Sequence, residues 1–267
     1  MKKVLITGLI AISLLAGACQ KAGETGNSAK KDAPAPETKK ADDGFVASED
    51  GTAKGTPESG KANVQGKVLY NDQPVEGIEV KLCEKFSTFS GCGGETFTSK
   101  TDKDGEYLIA NVAPREYQGL IVRVFDTKSF VFASNRFGIS ASKYKIEADT
   151  TFFAPKTNLF KSDIKVQNPK KNAKIDAKEF EITWDAYEGA AYYKIGMYAS
   201  DPKVTSPYVN EKVDGTSFKG DKPLTNGEYR LKIDAFNAND VKLSELPEDL
   251  KFTITGGDEK PAENESK

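Results

Sequence analysis

Between Asn63 and Phe125, and again between Phe180 and Ile254, apolar residues recur at every second position in short runs. In the first stretch Val64, Gly66 and Val68 alternate with polar residues. Runs Val75–Leu82, Glu106–Ile109 and Leu120–Phe125 follow. In the second stretch the sets are Phe180, Ile182 and Trp184; Tyr193, Ile195 and Met197; Tyr229, Leu231, Ile233 and Ala235; and Leu250, Phe252 and Ile254. A period of two places every other side chain on one face of an extended chain, so each run can cover one face of a core. The first stretch lacks helical periodicity, and Asn-Asp, Asp-Gly and Pro clusters break it into short pieces. The pattern predicts an all-β chain with two tandem β-sandwiches, over residues 63–156 and 161–256. A length of 267 residues, less polar ends, suits two small domains.

The amino terminus has a different character. Lys2 and Lys3 precede an apolar run from Val4 to Ala18, which ends Leu15-Ala16-Gly17-Ala18-Cys19. A basic start, an apolar stretch and small residues at the cut describe a secretory signal over residues 1–18. The run is shorter than the ~20 residues that a spanning helix needs. A cysteine directly after the small residues makes the segment resemble the bacterial lipoprotein signal, with Leu15 four rather than three residues before Cys19. The resemblance implies that Cys19 carries acyl chains, starts the mature chain and anchors it to a membrane in the cell envelope. The alternative is an ordinary secretory signal with a chance cysteine. Gln20 follows where many inner-membrane lipoproteins have Asp, which favours the outer membrane if the cell is Gram-negative.

With Cys19 lipidated, Cys83 and Cys92 remain as a pair. Outside the cytoplasm they are expected to form one disulfide, contributing roughly 2–3 kcal/mol for so short a loop. Two thiols without histidine are too few for a closed zinc site. The chain has no histidine. That excludes Ser-His-Asp and Cys-His nucleophile systems and His-ligated zinc, leaving only carboxylate chemistry. Net charge is −2, and two units more negative once Lys2 and Lys3 leave. Nothing here is basic enough to point to nucleic acid.

Residues 19–62 are rich in Lys, Glu, Asp, Ala, Gly, Ser, Thr and Pro, with Phe45 and Val46 the only large apolar side chains. Such a segment is expected to be a disordered tether, spanning roughly 35 Å end to end. Residues 257–267 read as a similar polar tail.

Two family resemblances sharpen the domain reading. Gly66-Lys67-Val68, Pro74-Val75-Glu76-Gly77-Ile78-Glu79-Val80, Thr101-Asp102-Lys103-Asp104-Gly105-Glu106-Tyr107 and Val112-Ala113-Pro114-Arg115-Glu116-Tyr117 resemble a carboxypeptidase regulatory-like (transthyretin-like) domain. Arg115 departs from the Gly common at that turn, and the insert with Cys83 and Cys92 is an elaboration. This resemblance implies a seven-stranded sandwich without peptidase activity of its own. Trp184, Tyr193, and Leu224 with Gly227 and Tyr229 resemble a fibronectin type III domain. It implies a core Trp184 and a tyrosine corner at Tyr229, whose phenol bonds back to the main chain.

Few residues are placed to carry chemistry. Asp102-Lys103-Asp104-Gly105 looks superficially like a calcium loop but lacks the further acids and distal Glu that calcium needs; a hairpin turn explains it. Asp126 and Glu147 have no spacing that sets two carboxylates across a cleft. The segment Glu84–Gly91 carries Phe86 and Phe89 and reads as a loop closed by the disulfide. It is either a recognition loop or a small satellite core. The chain thus reads as a lipid-anchored envelope protein that binds or scaffolds without catalysis, needing no cofactor or metal. Its expected partners are the membrane, through Cys19, and an envelope protein or glycan. A carbohydrate-binding surface protein is the alternative, and a carboxylate-dependent hydrolase a more remote one. The short linker, Pro155–Phe160, predicts a limited range of angles between the sandwiches.

Overall fold

The computed structural model describes residues 44–134 and 141–259. Cys19 lies outside these residues. Within them the chain is all-β, and the two alternating stretches form two sandwiches, each around its own apolar core. A single 3₁₀ turn, Ala177–Glu179, is the helical element among the described residues.

The first sandwich contains β1 (Ala62–Tyr70), β2 (Gln73–Pro74), β3 (Glu79–Ser87), β4 (Gly91–Lys100), β5 (Glu106–Val112), β6 (Glu116–Tyr117), β7 (Gly119–Arg123), β8 (Phe130–Phe132), β9 (Tyr144–Lys145), β10 (Thr151–Phe153) and β11 (Thr157–Asn158). One layer is built on β1, with β5 antiparallel on one side and β10 and β11 parallel on the other. The second layer runs β4-β3-β7-β8, and β6 pairs with β9 as a separate ribbon. Val64, Val68, Val80, Leu82, Tyr107 and Val122 meet in the core between the layers. Gly66 completes the β1 alternation for a steric reason: a Cβ there would collide with the Tyr107 phenol. The run from Val75 is not one strand. Gly77 turns the chain at φ +79°, and β3 starts only at Glu79.

The expected tether ends earlier than the sequence predicts. Residues 44–61 form a strap across the outer face of β1 instead of remaining disordered up to residue 62. Phe45 bridges to Lys143, and the Val46 amide donates to the Lys143 carbonyl at 2.8 Å. The Gln65 carboxamide accepts from the Lys54 amide at 2.9 Å and donates to the Thr52 carbonyl at 3.1 Å. The Asn63 side chain donates to the Gly55 carbonyl at 3.1 Å. Asn63 and Gln65 are buried, and buried amide groups require partners. The strap supplies them from its main chain, so it is ordered despite its polar composition.

The second sandwich contains β12 (Val166–Asn168), β13 (Lys174–Asp176), β14 (Ile182–Trp184), β15 (Tyr192–Ala199), β16 (Tyr208–Val213), β17 (Ser217–Phe218), β18 (Gly227–Phe236), β19 (Lys242–Glu245) and β20 (Leu250–Thr255). Strands β12-β14-β17 face the layer β13-β20-β18-β15-β16, with β19 also on β18. This is a two-layer β-sandwich. Trp184 and Tyr229 are both in its core, and the Tyr229 hydroxyl donates to the Thr225 carbonyl at 3.0 Å. The polar tail also begins later than predicted. The Asp258 amide donates to the Leu224 carbonyl at 2.8 Å, and its carbonyl accepts from the Asn226 amide at 2.9 Å.

The linker belongs to both sandwiches. β11 pairs with β1, and Leu159 is fully buried in the first core. Two residues on, the Lys161 amide donates to the Leu243 carbonyl at 2.9 Å, and the Lys161 carbonyl accepts from the Glu245 amide at 3.0 Å. The Lys161 ammonium stands over the rings of Tyr70 and Phe125, 5.2 and 5.6 Å from their centroids. The β1–β2 turn, Asn71–Asp72, has φ values of +50° and +61°, the left-handed pair of a tight hairpin. Its tip meets the β18–β19 turn. The Asn237 side chain donates to Asn71 Oδ1 at 2.8 Å and Asp72 Oδ2 at 2.9 Å, and Asn239 donates to Asp72 Oδ2 at 2.8 Å. Tyr70 and Tyr187 join their hydroxyls at 3.2 Å. Burial, and then the hydrogen bond with Tyr70, pushes the Tyr187 phenol above its ordinary range, so this contact stays uncharged.

Candidate functional site

The segment Glu84–Gly91 is not an open loop. β3 continues to Ser87 and pairs with β4, with Phe86 opposite Cys92 and Ser87 opposite Gly91. The register shifts between Cys83 and Lys85, as a bulge requires. Gly94 takes φ +70° there, and the Glu84 carboxylate accepts from the Glu95 amide at 2.9 Å. Cys83 and Cys92 form the expected disulfide across this irregularity, with Cα atoms 5.4 Å apart. Gly91, Cys92, Gly93 and Gly94 open β4 with little apolar signal, so the sequence shows no alternation there.

The two phenylalanines separate. Phe86 packs edge-on against Phe132, with centroids 4.9 Å apart, and lies so close over Gly119 that a Cβ there would collide. It therefore takes the satellite-core role. Phe89 sits in the turn, where its amide donates to Ser87 Oγ at 3.2 Å, and its side chain is 100% exposed. Among the described residues only Phe89 and Val209 are large exposed apolar residues.

Arg115 holds the base of this hairpin. Its guanidinium pairs with Glu95 and, at 3.4 Å, with Glu84, and lies 5.7 Å from the Tyr117 ring centroid. Arg115 has no positive φ, in keeping with the departure from glycine at this turn. The Tyr117 hydroxyl donates to the Ala113 carbonyl at 2.9 Å. This reproduces in the first sandwich the four-residue reach of the Tyr229 corner. Arg115, Glu84 and Glu95 are far apart in sequence, and only the sheet register brings them together.

The other candidates resolve into structure. Asp102 Oδ1 accepts from the amides of Asp104 and Glu106 at 2.9 and 3.0 Å, and Gly105 takes φ +72°. The Lys54 ammonium pairs with Asp102 at 2.5 Å and Glu106 at 2.8 Å. Lys54, then the Glu106 amide, holds the Asp102 carboxyl below its ordinary range. This is a tied turn, and among the described residues no cluster of His, Cys, Asp and Glu is suited to a metal. Asp126 lies in the turn between β7 and β8. Glu147 lies in the turn between β9 and β10, where it pairs with Lys145 at 3.2 Å. An open cleft of about 470 Å³ lies between the strap and β1, lined by Asp50, Lys54, Lys67 and Glu106 among others.

No family model matches the chain, and no curated protein matches it. Solved structures do. Fibronectin(III)-like modules of CbhA from Clostridium thermocellum are 12% identical, with 76% of this chain and 92% of that chain covered, at a TM-score of 0.28. A streptococcal ancillary pilin is 15% identical over 77% of this chain and 64% of that chain, at a TM-score of 0.27. BcpA, the major pilin subunit of Bacillus cereus, is 16% identical over 73% and 69%, at 0.23. Likeness at this level transfers none of their roles to this chain.

Proposed function

We propose that the chain is a lipid-anchored envelope protein that binds or scaffolds without catalysis. The observation that carries this reading is the contrast between a tied interior and a fully exposed aromatic ring at a hairpin tip. The two sandwiches are fastened by linker, hairpin tip and cation–π contacts, so they can hold a partner at a set distance. Phe89 stands free on a disulfide-closed hairpin, and a constrained aromatic loses little entropy on contact. A regulatory-like sandwich without chemistry of its own fits that role. Acyl chains on Cys19 each contribute ~0.8 kcal/mol per buried methylene, and more than one gives stable anchoring.

The test is the intact mass of protein recovered from membranes, with and without reductant, followed by incubation with a panel of envelope polysaccharides. A lipid adduct on Cys19, a two-hydrogen gain on reduction and no turnover are expected. An unmodified chain released to the medium overturns the anchored reading, and polysaccharide cleavage overturns the non-catalytic one.

A further inference from the structure

We propose that the Phe89 hairpin tip seats in the interfacial layer of the membrane to which the chain itself is anchored. This rests on the lipid-anchored reading above and assigns the hairpin its contact surface.

The described chain begins at Gly44. The Cys83 carbonyl accepts from the Gln118 amide at 3.1 Å. One residue earlier, Tyr117 pairs with Tyr144. The adjoining Lys143 amide donates to the Gly44 carbonyl at 3.0 Å. These are lateral steps across strands, so Gly44 enters the sandwich level with the disulfide. The opposite end of the same sheet carries the second sandwich. β7 runs from Gly119, opposite Cys83, toward Phe125, which packs against Tyr70 with centroids 5.3 Å apart. Lys161 stands over both rings there. The chain's entry point and the hairpin therefore share one end of the first sandwich, and the second sandwich occupies the other.

Reach follows from length. Cys19 precedes Gly44 by 25 residues in the sequence, which limits their separation to at most about 85 Å. That length of chain lets the end of the sandwich at which Gly44 enters approach the membrane that holds Cys19. Phe89 caps the hairpin three residues from Cys92, just beyond the disulfide.

The tip's chemistry suits the bilayer interface. Ser87, Thr88, Ser90 and Gly91 flank Phe89, so no carboxylate has to be desolvated with it. Lys85 is exposed on the strand behind, where it can face anionic headgroups. One ring is too weak a contact for a freely diffusing protein. A tether raises the effective concentration to roughly the millimolar range, which makes a weak second contact effective.

The test uses the full chain with Phe89→Trp, recovered from membranes and reconstituted in phosphatidylethanolamine–phosphatidylglycerol vesicles with or without brominated acyl chains. Trp184 is 3% exposed in the second core and provides the baseline, measured in the parent chain. Bromine is expected to quench the variant's added emission at least twofold, while leaving the parent unchanged. A chain shown by mass to be lipidated, but whose added indole is quenched only by aqueous iodide, overturns the membrane contact and leaves the anchor standing. If such a chain crosslinks at the tip to an envelope protein, that protein is the partner instead. A chain without lipid on Cys19 overturns the anchored reading and this proposal with it.

Discussion

The first sandwich sends out two hairpin tips with opposite surroundings. Asn71–Asp72 is a two-residue turn of short polar side chains, and its acceptors meet the amide donors of Asn237 and Asn239. Thr88–Ser90 carries a fully exposed aromatic ring with nothing of the described chain over it. The first tip is completed within the molecule; the second is stiffened from behind, by the disulfide and Arg115, and left uncovered. What separates them is the kind of partner each requires. Polar turn groups need matched donors, which a neighbouring turn can supply. An apolar ring needs any surface that removes it from water.

The largest expected effect comes from breaking the completed tip. Asn237 is 6% exposed; it donates to Asn71 and Asp72 and accepts from the Asn239 and Val241 amides at 2.9 and 3.0 Å. Asn237→Ala leaves several buried groups unpaired and is expected to lose about 2–4 kcal/mol of stability. Urea unfolding followed by Trp184 emission and by circular dichroism checks this. The parent should give coincident curves, and the variant should separate them as the sandwiches uncouple. An unchanged midpoint would mean that the junction adds nothing to the linker.

Stiffness behind the open tip comes next. Cys83→Ser with Cys92→Ser is expected to lower stability by about 2–3 kcal/mol through loop-closure entropy. Hydrogen exchange should rise from Lys85 to Gly93 while the junction amides stay protected. Faster exchange across both tips would show that the two ends are not independent.

A smaller, local effect tests the strap that connects the two ends. Lys54, hydrogen-bonded first to Asp102 and then to Glu106, has its pKa raised above the ordinary 10.5, and Asp102 has its own lowered below 3.8. The Asp102 contribution is therefore present above the ordinary carboxylate value and is lost as pH falls through its lowered one. The Lys54 contribution is present below the ordinary amine value and is lost as pH rises through its raised one. The Lys54 amide, bonded to Gln65, should hold one NMR chemical shift between these limits and move outside them. Both groups are largely exposed, so the global stability should hardly change.

The comparison also shows what a sequence can reveal. Period-two runs marked the core strands because alternation is local, and Trp184 and Tyr229 occupied the places that the pattern implied. The disulfide was legible by elimination among three cysteines. Three features were not. The strap has almost no apolar signal, and its order comes from buried Asn63 and Gln65, whose partners lie about ten residues upstream. The Asn71–Asn237 contact joins turns more than 160 residues apart, and each alone reads as an ordinary polar turn. The end of β3, from Glu84 to Ser87, reads as loop because its partner β4 opens on glycines at a sheet edge and shows no alternation there. Sequence also could not separate Phe86 from Phe89, because the bulge between Cys83 and Lys85 sets which ring meets Phe132.

That separation yields the smallest effect and the sharpest contrast. Phe89 touches no core, so Phe89→Ser should change stability by no more than about 0.5 kcal/mol, as at surface positions generally. Phe86→Ser removes a ring packed on Phe132 and Gly119, and should be measurably destabilising in the same urea titration. The order of the two effects matters more than their size. If Phe89→Ser were the more damaging, the ring would have a partner within the chain, and the second tip would be as complete as the first. If Phe89→Ser is neutral to folding, the ring has no role in holding this molecule together, and what it contacts must lie outside it.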